Sequence, residues 1–172
     1  MDQENIKRNL ILLARKMIRM AEVDHERLSY FKTIQKAITS GAFTFQELGI
    51  KKAQFEKKRK RMVTKKVAMH LERFRVEPNM ADVRAIKNIL YEHRMKPKDV
   101  GCKPEPQKMR KIFHRYKATM YLYIYKETGD LAVLAKFIAC TTNHKIKPEQ
   151  IGLSSEDFQN LVEHSTTTEK QN

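Results

Sequence analysis

The chain has 172 residues, with 35 lysines and arginines against 20 aspartates and glutamates, which gives a formal net charge of +15. This length suits one domain or one compact repeat array, and it can bury a core without metal or disulfide cross-links. Hydrophobic residues make up 41% of the chain, which excludes a wholly disordered protein. No apolar run approaches the roughly 18 residues of a membrane span, and two cysteines are typical of a reducing compartment.

The positive charge is confined to the first two thirds of the chain. Residues 129–172 contain four lysines against six acidic residues, a net charge of −2, which leaves +17 for residues 1–128. A basic body with a mildly acidic end favours a polyanionic partner over a membrane surface. The sequence therefore predicts nucleic acid as the partner of residues 1–128, and a protein contact through residues 129–164.

Hydrophobic spacing predicts an all-α protein with about seven helices. Residues 1–25 form the first predicted helix, because Ile6, Leu10, Leu13, Met17 and Met20 have helical spacing. The others are expected, in chain order, over 26–39, 52–75, 80–93, 106–126, 130–141 and 154–164. Asp82 and Asp130 stand near two of the helix starts, where a carboxylate can cap amides. Residues 165–172 are polar and are predicted to form a flexible tail.

Three glycines indicate an internal repeat of roughly 51 residues. They stand in Leu48-Gly49-Ile50, Val100-Gly101-Cys102 and Ile151-Gly152-Leu153, each ending a short helical turn. Apolar residues recur upstream: Phe31, Val83 and Leu134 at one offset, and Ile34, Ile86 and Phe137 three residues later. The expected organisation is therefore one domain over residues 1–164. It comprises the N-terminal helix, repeats over 26–77 and 78–128, and an acidic capping repeat over 129–164.

Each glycine corner resembles a helix-turn-helix, a DNA-binding motif that joins a short helix to a recognition helix through a tight turn. The third copy matches best, with Ile151, Gly152, Leu153, Ser154, Phe158 and Leu161 at the positions of the pattern. The first copy places Lys58 where the motif has an apolar residue, and in the second Pro104 and Pro106 insert two residues. The resemblance implies helix-turn-helix-like corners, while a generic turn between helices in a repeat protein explains the same glycines.

The expected contacts to nucleic acid lie on the two long basic helices. Residues 51–66 contain nine basic residues and one acid, and residues 103–117 repeat the pattern more sparsely. Lysines and arginines would neutralise phosphates, and Gln54 and Gln107 would touch base edges. The predicted binding residues are Lys51, Lys52, Gln54, Lys57, Lys58, Arg59, Arg61, Lys65, Lys66, Lys103, Gln107, Lys108, Arg110, Lys111, Arg115 and Lys117. The run KKRKR over residues 57–61 is also compatible with a nuclear-import signal.

Duplex DNA is favoured over RNA as the partner, because the side chains that follow the cations of the second long helix are expected to pack against neighbouring helices. These are Met120, Tyr121, Leu122, Ile124 and Tyr125. Rings left in solvent would instead be suited to stacking on unpaired bases. Binding to RNA through the same surface is one alternative. A helical adaptor for an acidic protein is another.

The sequence contains no motif that predicts catalysis, a metal site or a cofactor. It has no CxxC, HExxH, Gly-rich phosphate loop or GxSxG, and its six histidines show no metal-ligand spacing. Residues 114–142 faintly resemble part of a tyrosine recombinase, through Thr128-Gly129-Asp130-Leu131 and Thr141-Thr142, but without the nucleophile or the arginines. A non-catalytic relative of those enzymes is a further alternative.

The prediction is therefore a non-enzymatic DNA-binding protein, a regulator of transcription or of a mobile element. It is expected in the cytoplasm, with the nucleoid as its place in a bacterium and the nucleus in a eukaryote.

Overall fold

The computed structural model describes residues 3–169, with side chains up to residue 166, and every regular element in that range is helical. There are seven α-helices: α1 (Gln3–Val23), α2 (Ser29–Thr39), α3 (Lys52–Val76), α4 (Met80–Glu92), α5 (Pro106–Thr128), α6 (Leu131–Asn143) and α7 (Ser155–Glu169). Short 3₁₀ helices lie at His25–Leu28, Pro97–Val100 and Pro148–Ile151. The expected all-α class with seven main helices is confirmed for this part of the chain.

The contacts divide the chain into two compact units. The first contains the described residues up to Glu77 together with Ala81–Pro106, and therefore holds α1 to α4. The second contains Pro78–Met80 and the described residues from Gln107 onward, with almost all of α5, and α6 and α7. Three repeats of roughly 51 residues are not established by this division, and they stay a prediction.

The core of the first unit forms around an aromatic cluster. Phe55 of α3 is fully buried, and its ring centroid lies 5.3 Å from that of Phe31 on α2 and 5.4 Å from that of Phe45. The T-shaped arrangement of Phe31 and Phe55 suits the ring quadrupoles. α1 packs against both α2 and α3, burying Ala14, Ile18 and Ala21 at helical spacing. This packing fixes which side of α3 faces solvent.

The core of the second unit lies where α5, α6 and α7 meet. Fully or almost fully buried side chains from α5 and α6 are Ala118, Leu122, Leu134, Phe137 and Cys140, with Ile146 and Leu153 from the following turn. Phe158 of α7 places its ring edge-on against Phe137, at 5.9 Å between centroids. The apolar face predicted for residues 130–141 is therefore the buried face of α6.

The three glycine corners share one hydrogen-bonding pattern. Each glycine has a positive φ, namely 68° at Gly49, 66° at Gly101 and 76° at Gly152, a conformation that only glycine adopts at low cost. The residue after each glycine donates its N–H to the carbonyl five residues earlier. These bonds are Ile50 to Phe45 at 3.2 Å, Cys102 to Pro97 at 2.9 Å and Leu153 to Pro148 at 3.1 Å. The same local turn therefore forms three times, from different side chains.

The burial pattern upstream of the corners agrees with the expected core face. Six residues at the first two repeat offsets all have a relative exposure of 5% or less: Phe31, Ile34, Val83, Ile86, Leu134 and Phe137.

Among the predicted caps, Asp130 accepts the N–H of Ala132 at 2.8 Å at the start of α6. Asp82 is instead buried in the first turn of α4, with its carboxylate 2.6 Å from Nδ1 of His70. The α7 helix continues to Glu169, into the segment predicted as a flexible tail, and residues 170–172 lie outside the described range.

Candidate nucleic-acid interface

One side of α3 is a row of exposed cations, which we call the basic face and define as Lys57, Lys60, Arg61 and Lys65. All four are exposed, and their spacing of three and four residues places them side by side on a helix. Among the described side chains, those of residues 3–166, no acidic group lies within ion-pairing distance of any of them. Like charges so arranged repel one another, and the repulsion is relieved when a polyanion binds. Lys60 was absent from the predicted binding residues, although its spacing of three residues from Lys57 would have identified it.

Three of the predicted binding residues on α3 are turned towards the rest of the first unit. Nζ of Lys58 lies 2.6 Å from Oε1 of Glu22 on α1, and Nζ of Lys66 lies 3.0 Å from Oε2 of Glu26. The hydrogen bond from Lys66, together with its charge, lowers the pKa of Glu26. Arg59 donates to Gln35 of α2 and to Glu56, and only 15% of its side chain is exposed. The predicted binding residues of α3 therefore do not form a single open surface.

A groove of about 570 Å³ lies beside the basic face, between α1 and the corner that precedes α3. Its cationic lining residues are Arg15, Arg19, Lys57 and Lys58, against one acid, Glu22, which Lys58 neutralises. Arg15 is fixed in place, because its guanidinium donates to the carbonyls of Leu48 and Glu47, both at 3.0 Å. The first turn of α3 opens towards this groove, where the positive end of the helix dipole favours an anion.

Gln54, predicted to touch base edges, has a structural contact at the start of α3. Its Oε1 accepts the backbone N–H of Lys51 at 3.2 Å, which satisfies a donor at the helix terminus. The side chain is exposed and also lines the groove. Lys51 and Lys52 are exposed at the same end of α3, so the N-terminal turn carries two further cations.

Arg59 borders a second cavity of about 480 Å³, lined by residues of α2 and by Glu92, His93 and Arg94. His93 is 2% exposed, and burial lowers the pKa of its imidazole to about 4, with the Arg59 charge acting in the same direction. Among the described residues, neither Nδ1 of His93 nor Nε of Arg59 has a hydrogen-bond partner. Arg59 therefore points into the first unit, where it lies among residues of α2 and of the end of α4.

The cations of α5 in the second unit divide between two sides of the helix. Lys108, Lys111 and Arg115 have spacings of three and four residues and share one side, whereas Arg110 and Lys117 lie on another. All are exposed except Arg115, which is half-buried. Nζ of Lys117 lies 5.5 Å from the centre of the Tyr121 ring. Gln107 is exposed at the start of α5, and Lys103 belongs to the first unit, where its carbonyl accepts from Arg75.

The aromatic and apolar side chains in the second half of α5 are only partly buried. Tyr121 and Tyr125 pack against the core of the second unit, as predicted. Tyr116 and Tyr123, seven residues apart, are 38% and 62% exposed. Met120 and Ile124, predicted to pack against neighbouring helices, are 41% and 36% exposed. The sequence argument that favoured duplex DNA over unpaired bases therefore applies to only part of this helix.

The acidic residues of the third corner form local helix caps. Ser154 Oγ accepts the N–H of Asp157 at 3.0 Å and donates to its carboxylate at 2.7 Å. Ser155 donates to Glu149 at 2.8 Å, and the pKa of Glu149 is lowered by a backbone hydrogen bond and by Ser155. These contacts stabilise the start of α7 and leave carboxylates where a phosphate would be repelled.

One group of side chains in the described range could hold a metal ion, namely His114, Cys140 and His144 of the second unit. Cys140 and His144 are four residues apart at the end of α6, but His114 comes from α5, so sequence spacing alone does not identify the group. No helix among residues 3–169 has both the length and the apolar character needed to cross a membrane.

Comparisons with protein-family models, with curated proteins and with solved structures find no match for this chain.

Proposed function

We propose that this protein is a non-enzymatic duplex-DNA-binding protein, with the basic face of α3 and the groove beside it as its principal contact surface. The observation that carries the proposal is the basic face itself. Its four cations are exposed, and no acidic side chain in the described residues forms an ion pair with them. Duplex DNA carries one negative charge per about 1.7 Å of axis, so such a row gains affinity through counterion release. The fixed Arg15 and the first turn of α3 support binding at the groove.

The proposal extends to the second unit and to the corners. Lys108, Lys111 and Arg115 of α5 would add phosphate contacts, while Gln54 and Gln107 would be the first polar groups to approach base edges. The shared hydrogen bonds of the three corners support a common helix-turn-helix-like unit of roughly 51 residues. Regulation of transcription, or of a mobile element, is the use that we propose for such binding.

A salt titration tests the principal claim. Binding to a fluorescent duplex is measured by anisotropy at several salt concentrations, and four phosphate contacts predict a slope of roughly −3.5 in log affinity against log salt. Replacing Lys57, Lys60 and Arg61 together by alanine should reduce the magnitude of this slope by about 2.5–3. The control is Lys36→Ala, a single exposed cation on α2, which should leave the slope unchanged. If the protein binds no nucleic acid at a salt concentration of about 50 mM, the proposal is rejected and an adaptor for an acidic protein is favoured.

Single-stranded nucleic acid is a second candidate partner, favoured by the exposure of Tyr116 and Tyr123. Both rings lie on one side of α5, where successive bases could stack on them. Replacing both tyrosines by alanine should then weaken binding to single strands by about 1–3 kcal/mol per stacked base, with little effect on a duplex. Equal losses on both substrates would reject a stacking role. Tighter binding to one duplex sequence at physiological salt would favour the regulator.

A further inference from the structure

Two histidines and a cysteine that are separated in the sequence meet at one place in the second unit. Cys140 lies in the last turn of α6, and His144 follows four residues later at its C-terminal cap. His114, on α5, stacks its ring on that of His144, with 3.4 Å between ring centres and 19° between ring planes. One ligand atom from each of the three residues lies within 4.8 Å of the other two. Imidazole nitrogen and thiolate sulfur are the ligands that zinc prefers.

The hydrogen bonding of His114 is incomplete. Both of its ring nitrogens are shielded from solvent, and neither has a partner among the described residues. An orphaned buried nitrogen costs about 1–3 kcal/mol, so native structures usually supply a partner, an ordered water or an ion. Cys140 is a free thiol with 8% exposure, and its hydrogen bond to the His114 carbonyl is long, at 3.7 Å. The two groups are therefore available as ligands.

We propose that His114, Cys140 and His144 form a binding site for a zinc-class transition-metal ion. A spacing of four residues places Cys140 and His144 on the same side of α6, as in helix-borne metal sites. The end of α6 also favours a cation, because the last carbonyls of a helix carry partial negative charge. Two imidazoles and a thiolate suit zinc far better than magnesium or calcium, which prefer oxygen ligands.

Binding requires a small local rearrangement. Nearly parallel rings cannot both direct a nitrogen lone pair at one ion, so one ring must turn. The side chain of His144 is exposed and its ring forms no hydrogen bond to a described residue, so the ring can rotate once it leaves the stack on His114. Bond lengths of about 2.0–2.3 Å also require the three ligand atoms to approach one another by about 1 Å. A metal–sulfur bond then replaces the S–H bond of Cys140, and the proton leaves to solvent. Three protein ligands leave a fourth position that water could occupy.

Cobalt(II) titration of the full-length reduced protein tests the proposal. Binding of one Co²⁺ per chain should produce a thiolate-to-cobalt charge-transfer band, which one equivalent of Zn²⁺ then removes. Cys140→Ser should abolish the band, whereas Cys102→Ser, which alters the other buried cysteine, should retain it. His144→Ala and His114→Ala should each weaken binding by at least about tenfold.

Circular dichroism of each variant keeps these outcomes interpretable, and His144→Ala is the most informative because that side chain is exposed. A helical His144→Ala protein with unchanged cobalt affinity would overturn the proposal. The same holds for a wild-type protein without the band, or for a band that persists in Cys140→Ser. His25→Ala, which alters a half-buried histidine of the first unit, is the matched control and should bind cobalt like the wild type.

Discussion

Lys58 of α3 forms an ion pair with Glu22 of α1, with 2.6 Å between Nζ and Oε1, in the middle of the most basic segment of the chain. Neighbouring Lys57 points to solvent and has no such partner among the described residues. Two adjacent lysines, indistinguishable by composition, therefore have different environments. One joins two helices, and the other adds to a cationic surface.

This difference predicts opposite effects of two matched substitutions. Lys57→Gln should reduce the salt dependence of DNA binding by about one unit of slope and leave stability unchanged. Lys58→Gln should leave the slope nearly unchanged and lower the free energy of unfolding slightly, by about 0.2–1 kcal/mol, since the pair is partly exposed. Anisotropy and urea denaturation measure the two effects. Equal slopes for the two variants would contradict this assignment.

The glycine corners predict a uniform cost of replacing glycine by alanine. Gly101 and Gly152 have positive φ, and an added Cβ would meet no heavy atom within 4 Å, so backbone strain alone sets the cost. Gly101→Ala and Gly152→Ala should each destabilise the protein by about 1–2 kcal/mol in urea denaturation. Asparagine tolerates the left-handed region better, so Gly152→Asn should cost less. An alanine variant as stable as the wild type would show that the corner adopts another backbone conformation.

Burial of His93 predicts a loss of stability in weak acid. The ordinary pKa of the imidazole is 6.5, and burial lowers it to about 4 in the folded protein, with Arg59, Lys32 and Lys66 assisting and Glu92 opposing. The unfolded chain therefore binds more protons between these values, and folding becomes less favourable as pH falls from about 6.5 to about 4. The full loss is about 3 kcal/mol.

The measurement is urea denaturation across this pH range for the wild type and for His93→Leu. The leucine variant should have a flatter pH dependence, because the titrating group is gone. Other groups, among them His114, whose pKa is also lowered by burial, titrate in both proteins and cancel in the difference. Identical pH profiles for the two proteins would mean that the pKa of His93 is the same in the folded and unfolded states.

The cap of α6 predicts a local loss of stability. Asp130 accepts the N–H of Ala132, so Asp130→Ala should cost about 0.5–2 kcal/mol, whereas Asp130→Ser should preserve most of the cap. Thermal denaturation of the two variants measures the difference. Equal melting temperatures would indicate that water replaces the side chain at this helix terminus.

Local features of the fold were predictable because they depend on neighbours in sequence. Helical spacing of apolar residues predicted all seven helices, and the buried positions of Phe31, Ile86 and Phe137 followed from the same spacing. Asp130 was identified as a cap from its place before an apolar run. The corner glycines were predictable because a left-handed residue at a helix end is a local property of the backbone.

The candidate sites were predictable only in part, because they depend on which helix faces which. The sequence alone determined an all-helical chain with a basic body and an acidic end, since composition and periodicity are carried by the residues themselves. Only the tertiary structure decided which cations remain free: Glu22 of α1 pairs with Lys58, and Gln35 of α2 and Glu56 hold Arg59. Lys57, Lys60 and Arg61 stay in solvent. It also brought His114 to Cys140 and His144, because packing of α5 on α6 joins residues that no sequence spacing connects.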